Sequence, residues 1–235
     1  MSSPLLEVRD VVKDFRALRP LRVQQFDVHE HQSIALLGFD QGMAEVFVNL
    51  ITGAILPDTG SITVFGLRTS AIADAEAWVH TLDQFGLISE RAVMLDQLTT
   101  GQNLALPMSL RIESMPDDVR DRVIGIATEV GLSEEELQAK VATLSPLARQ
   151  RLRLGRALAL SPRVLLAEHP NAPLSEEDTR AFAGVFARIV ASRRIASLVL
   201  TANHEFAASI SSAVLTLQPA TGVLKATPAW RRWFS

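Results

Sequence analysis

The stretch LLGFDQGMAEVFVNLITG, residues 36–53, sets a glycine between an apolar run and an amphipathic one. An apolar strand, a glycine, a short loop and a helix with free N–H groups form the frame of a phosphate-binding loop. A loop that grips a triphosphate also needs a lysine and a hydroxyl at its end. Those places hold Ala44 and Glu45. No shift of register supplies the charge, because the chain's lysines are Lys13, Lys140 and Lys225, and none follows a glycine loop.

The rest of the composition narrows the class. At 235 residues, 48% hydrophobic and 21% charged, the chain has the make-up of a globular domain with a core of ordinary size. A net charge of −3 gives no electrostatic case for nucleic acid, which would call for a basic face. The absence of cysteine excludes disulfides and thiolate metal sites. No signal-peptide pattern stands at residues 1–10 and no apolar run has bilayer length, so a soluble chain is expected, reaching a membrane only through a partner or a surface patch.

The elements that would position the loop follow from hydrophobic period. Residues 5–15 and 22–32 alternate as strands, 33–38 is a short apolar strand, and 57–66 is a turn and strand marked by Pro57 and Gly60. Residues 116–131 and 132–144 carry helical patterns, and 145–160 a further helix with Ser145 as N-cap and Pro146 at the first helical position. Residues 163–168 and 196–203 read as buried strands. Between them, 175–194 is a helix with acids first and bases last, as its dipole favours. Residues 213–226 read as a hairpin. Strands alternating with helices predict an α/β fold, with a mostly parallel sheet and a helical insert.

Three segments in order carry a family resemblance over almost the whole chain. NLITGAILPDTGSITVFG (49–66), LTTGQNLALPMSLR (98–111) and LSPLARQRLRLGRALALSPRVLLAEHPNAPL (144–174) resemble the nucleotide-binding (ATPase) subunit of an ABC transporter. The resemblance implies a P-loop ATPase fold in one domain spanning 1–235. Its α/β core with an N-terminal antiparallel β part would take 1–88 and 155–235, and its helical subdomain 89–154. It implies as partners a transmembrane permease and a second nucleotide-binding subunit, the same or different, on the cytoplasmic face of a membrane, and no nucleic acid.

The departures from the family pattern are systematic. For the loop pattern G-x-x-G-x-G-K-[ST]-T the chain gives Gly38, Phe39, Asp40, Gln41, Gly42, Met43, Ala44, Glu45 and Val46. The missing lysine would place charge on the β and γ phosphates, and the missing hydroxyl would hold Mg²⁺. The aspartate and glutamate that end the second nucleotide strand, for metal and attacking water, correspond to Glu168 and His169. Glu168 is a tolerable metal partner and His169 can accept a proton, though a structural strand-end histidine is the plainer reading. The switch histidine corresponds to Ala202, with His204 two residues on, and the aspartate after the strand to Ser175. In the signature, L-S-G-G-Q in the family, Ser145 persists while Pro146 removes an N–H donor and Leu147 adds bulk. The permease-sensing glutamine corresponds to Glu90. Phe15 alone persists on the ligand side, as the ring that would stack on adenine or simply pack on its neighbours.

These readings converge on a pseudo-ATPase, structural or regulatory, docked on a permease through apolar residues of 92–95 and 103–108, Val93 and Leu95 among them. No metal and no cofactor are expected, beyond weak ATP or ADP. Two alternatives stand beside it: an atypical ATPase using Glu168, His169 and His204, and a soluble binding module reusing the old pocket. WRRWF (229–233) mixes aromatic and basic residues and is expected to pack on its own domain or rest on a membrane or partner.

Overall fold

The computed structural model describes residues 3–227; the WRRWF segment lies outside them. Its strands are β1 (Leu6–Lys13), β2 (Leu21–Val28), β3 (Ser33–Leu37), β4 (Thr59–Val64), β5 (Leu67–Arg68), β6 (Phe85–Ile88), β7 (Val164–Glu168), β8 (Ala196–Leu200), β9 (Ala213–Gln218) and β10 (Val223–Ala226). The helices are α1 (Gln41–Ile51), α2 (Ala75–Leu82), α3 (Thr100–Ala105), α4 (Asp117–Val130), α5 (Glu134–Gln138), α6 (Pro146–Leu158), α7 (Glu176–Arg193) and α8 (His204–Ile210).

An antiparallel sheet of order β2-β1-β4-β5 covers one side of a six-stranded sheet of order β10-β9-β3-β8-β7-β6. In the larger sheet only β10 runs antiparallel to its neighbour. β7 and β8 are buried at every residue, which is why they read as continuous apolar runs rather than alternations. Alternate residues of these strands serve two cores. Val164 and Leu166 join Phe47 of α1 and Phe26 of β2, whereas Leu165 and Ala167 join Leu152 of α6 and Phe182 of α7. α1 therefore rests on one face of the sheet and α6 and α7 on the other.

The expected helix over 132–144 is not continuous. α5 ends at Gln138, Ala139 is extended, and a single 3₁₀ turn follows at Val141–Thr143. The backbone is drawn away to pair with the chain before α3: Thr100 N–H donates to the Ala139 carbonyl at 2.9 Å and Val141 N–H to that of Leu98 at 3.1 Å. Tertiary hydrogen bonds outweigh a short helical pattern whose isolated nucleus is unfavourable. At the other end of the chain, the β9–β10 turn meets β2, where Gln24 N–H donates to the Gly222 carbonyl at 2.9 Å.

Candidate functional site

The site lies at the carboxyl ends of β3 and β7, where open α/β sheets place their ligand crevice. Gly38 ends β3 at φ +86°, and a Cβ there would stand 3.0 Å from the Leu217 carbonyl oxygen, so this turn requires glycine. Beyond it the loop is short. With Gln41 and Met43 in place of the pattern's second and third glycines, residues 41–44 are already helical. Asp40 caps this helix: its Oδ1 accepts from Met43 N–H at 2.8 Å, and its carbonyl accepts from Ala44 N–H at 2.9 Å. Ala44 is fully buried among the core of β2 and α1, and Val46 packs on the same cluster. Phe15, half-buried, packs there too, and its ring edge would be 3.7 Å from a Cβ on Gly42. The ring thus leans on the loop itself.

Glu168 closes β7 with only 1% of its side chain exposed. Its Oε2 accepts from the Ser89 hydroxyl at 2.8 Å and from Arg91 Nε at 3.2 Å, while Arg91 Nη2 pairs closely with Oε1. The other terminal nitrogen of Arg91, Nη1, lies 3.3 Å from Glu45 Oε1 and 3.4 Å from Asn49 Oδ1 on α1. One guanidinium thus spans from the end of β7 to the first turns of α1. The bond to Glu168, then the Coulomb fields of Glu168 and Glu45, hold the Arg91 pKa above its ordinary value against partial burial. Ser89 also accepts from Arg91 N–H at 3.1 Å, which shapes the turn that aims the arginine inward.

The remaining expected positions stand apart from this network. His169 follows with a left-handed φ of 43°, its N–H bonded to the Leu200 carbonyl at 2.8 Å, and its Nε2 is buried without a partner among the described residues. Ala202 is exposed after β8, and His204 is exposed as the first residue of α8. Between them the loops after β7 and β8 are joined by Thr201 Oγ1 donating to Asn171 Oδ1 at 2.8 Å. Ser145 spends its hydroxyl as the cap of α6, accepting from Ala148 N–H at 3.2 Å; Pro146 takes the first helical position, and Leu147 packs on the helical core. Ser175 caps α7 in the same manner.

After β6, Glu90 is exposed, as are Val93 (72%) and Leu95 (44%), whereas Leu104 and Ala105 of the second apolar stretch are buried core. Ala92 and Pro107 border a groove lined also by Phe85, Leu87, Arg153 and Arg156. Burial lowers the pKa of both arginines, and Arg156 donates to the Val93 carbonyl at 2.5 Å.

Residues 21–172, more than half of the chain, match the family model described as ABC transporter. The chain belongs to the ABC transporter family. It is 27% identical over 231 residues to the methionine import ATP-binding protein MetN of Brucella abortus, covering 98% of this chain and 61% of that protein. The chain therefore spans about three fifths of the length of the MetN relatives it matches. It is also 26% identical over 211 residues to the lipoprotein-releasing system ATP-binding protein LolD of Alcanivorax borkumensis, covering 88% of this chain and 92% of LolD. Among solved structures, the ATP-binding cassette MJ0796 in a dimeric post-hydrolysis state with ADP and Pi aligns with a TM-score of 0.78 at 18% identity. That alignment covers 95% of this chain and 99% of the other. A TM-score of 0.78 also relates it to cbiO1 of Clostridium perfringens, part of the ABC transporter complex cbiONQ, at 14% identity, over 97% of this chain and 88% of that one. These structures establish the fold: an α/β core with an antiparallel N-terminal sheet and packed helices.

Proposed function

We propose that this chain is a catalytically degenerate ABC subunit, a pseudo-ATPase that serves a membrane permease as a structural or regulatory partner. The observation that carries the reading is the head of α1, capped by the chain's own Asp40 carboxylate. A phosphate loop works because its N–H groups point at a bound anion. Here the Asp40 carboxylate takes Met43 N–H, so the protein places its own anion at the first turn, while Ala44 N–H makes the ordinary helical bond to the Asp40 carbonyl. No lysine follows, and Glu45 adds negative charge where phosphates would lie. Each charge-assisted bond lost is worth about 1.5–3 kcal/mol, more than a ring contact at Phe15 of about 1 kcal/mol returns. Mg·ATP does not fit the residues present: the carboxylate that would face the metal, Glu168, is engaged by Arg91 and Ser89.

The partner would then recognise the apo shape on the cytoplasmic face of a membrane, alongside a second nucleotide-binding subunit. Support for a docking surface comes from exposed Val93 and Leu95 beside the groove that Ala92 and Pro107 border. The reading is tested by calorimetric titration of the purified chain with Mg·ATP and by a single-turnover hydrolysis assay. The expected result is neither heat of binding at micromolar nucleotide nor product. Micromolar affinity or measurable turnover overturns it.

A further inference from the structure

Two side chains occupy the positions at which a P-loop ATPase holds its metal, one at the loop and one at the end of the second strand. Both are glutamates here, and both face the same arginine. We propose that the Arg91 guanidinium is a resident cation that replaces the divalent metal between Glu45 and Glu168. It thereby fixes the segment after β6 in one ligand-independent arrangement. The proposal rests on reading the chain as a degenerate subunit and says what that subunit put in place of its cofactor.

Charge and geometry carry it together. Glu168 is almost wholly buried, and a buried carboxylate without a partner is strongly unfavourable, so this position demands a cation or a proton. Arg91 meets it side-on through Nε and Nη2, the two-point geometry a guanidinium offers and an ammonium does not. Its third nitrogen reaches Glu45 and Asn49, so both Glu168 oxygens, Glu45 Oε1 and Asn49 Oδ1 already accept from Arg91, with Ser89 a second donor to Glu168. Ser89 and Arg91 lie on the segment that leads to exposed Val93, next to Glu90 at the permease-sensing position. In a working subunit a nucleotide that comes and goes would set that segment. Here a covalently attached charge sets it, and hydrolysis cannot release it.

Removing the arginine should leave two carboxylates, a hydroxyl and an amide oxygen, a donor set suited to a hard divalent ion. The test is thermal melting of the full chain in millimolar MnCl₂ or MgCl₂, without nucleotide. Wild type should not respond to either ion. Arg91→Ala should melt roughly 5–10 °C lower, from the unpaired Glu168, and Mn²⁺ should restore at least half of that loss. Mn²⁺ should also slow amide hydrogen exchange across residues 89–99 in this variant. Arg91→Ala/Glu168→Gln should show no Mn²⁺ response, and Arg91→Met/Glu168→Gln, which removes both charges together, should fold with a near-native melting point. If Arg91→Ala melts like wild type, or ignores Mn²⁺, the assignment is overturned. Should Arg91→Ala fail to fold, Arg91→Met/Glu168→Gln decides: its failure too would make Arg91 a packing residue and sink the proposal. With no nucleotide present the outcome is separable from the ATP titration. A wild-type chain that binds Mg·ATP overturns the degenerate-subunit reading, while a cation-silent Arg91→Ala overturns only the role given to Arg91.

Discussion

At the residue scale, Ala44 has no accessible surface, and its neighbours are the aromatic and aliphatic side chains of β2 and α1. Returning a lysine to that position would drive a long side chain and an ammonium group against a packed core. Ala44→Lys is therefore expected to lower stability by about 1–3 kcal/mol, measured by urea unfolding, and to leave Mg·ATP affinity undetected. A variant as stable as wild type that binds nucleotide would mean the loop can reopen. Much of this was legible from residue types alone. Ser145 and Pro146 announce the start of α6, and the loss of lysine and hydroxyl at 44 and 45 is plain in the chain. Arg91 was not legible. Its partners Glu168 and Glu45 lie 77 and 46 positions away, and no local period or spacing links them. The Asp40 cap is of a different kind, because aspartate before an amphipathic run is an ordinary N-cap type.

At the scale of elements, the segment from Ser89 to Thr99 connects β6 to α3 without regular structure of its own, held at one end by Arg91 and at the other by the Thr99 cap. Between these anchors Asn103 Nδ2 donates to the Leu95 carbonyl at 3.0 Å, and its Oδ1 accepts from Leu95 N–H at 2.9 Å. Backbone bonds fix the segment, so its exposed side chains are free to be recognised. Val93→Asp/Leu95→Asp should change folding stability by under about 0.5 kcal/mol, as surface substitutions do, and should abolish a complex with the co-expressed permease. Unfolding of that variant, or an intact complex, would remove the segment from the interface. The two apolar stretches looked alike in sequence. They differ in the fold because Leu104 and Ala105 sit on a helix that turns them inward against α4 and α6, while Val93 and Leu95 lie exposed on irregular chain. β6 went unread because four residues, Phe85–Ile88, are too few to show a period.

At the scale of the whole molecule, a strand at the margin of a sheet carries unpaired N–H and C=O groups that invite pairing with another copy. Among the described residues the two sheets have four such margins, β2 and β5 on the small one and β10 and β6 on the large one, and β2 and β10 are set against each other. The Gly222 carbonyl in the turn accepts from Gln24 N–H, and the Gln24 side-chain amide donates to the Thr221 carbonyl at 3.1 Å. Gly222 has φ +77°, and a Cβ there would fall 2.9 Å from the Arg22 backbone, so only glycine lets the seam close. Gly222→Val should part the two sheets along this line and expose β2 as a template for strand addition. The expected outcome is concentration-dependent self-association in light scattering while the helical signal is retained. A variant that stays monomeric would show that the seam guards nothing. The consequence reaches beyond the crevice. Whatever the crevice holds, the chain can still be lost to aggregation, and a hydrogen-bonded turn between two sheets stands at the β2 margin against it.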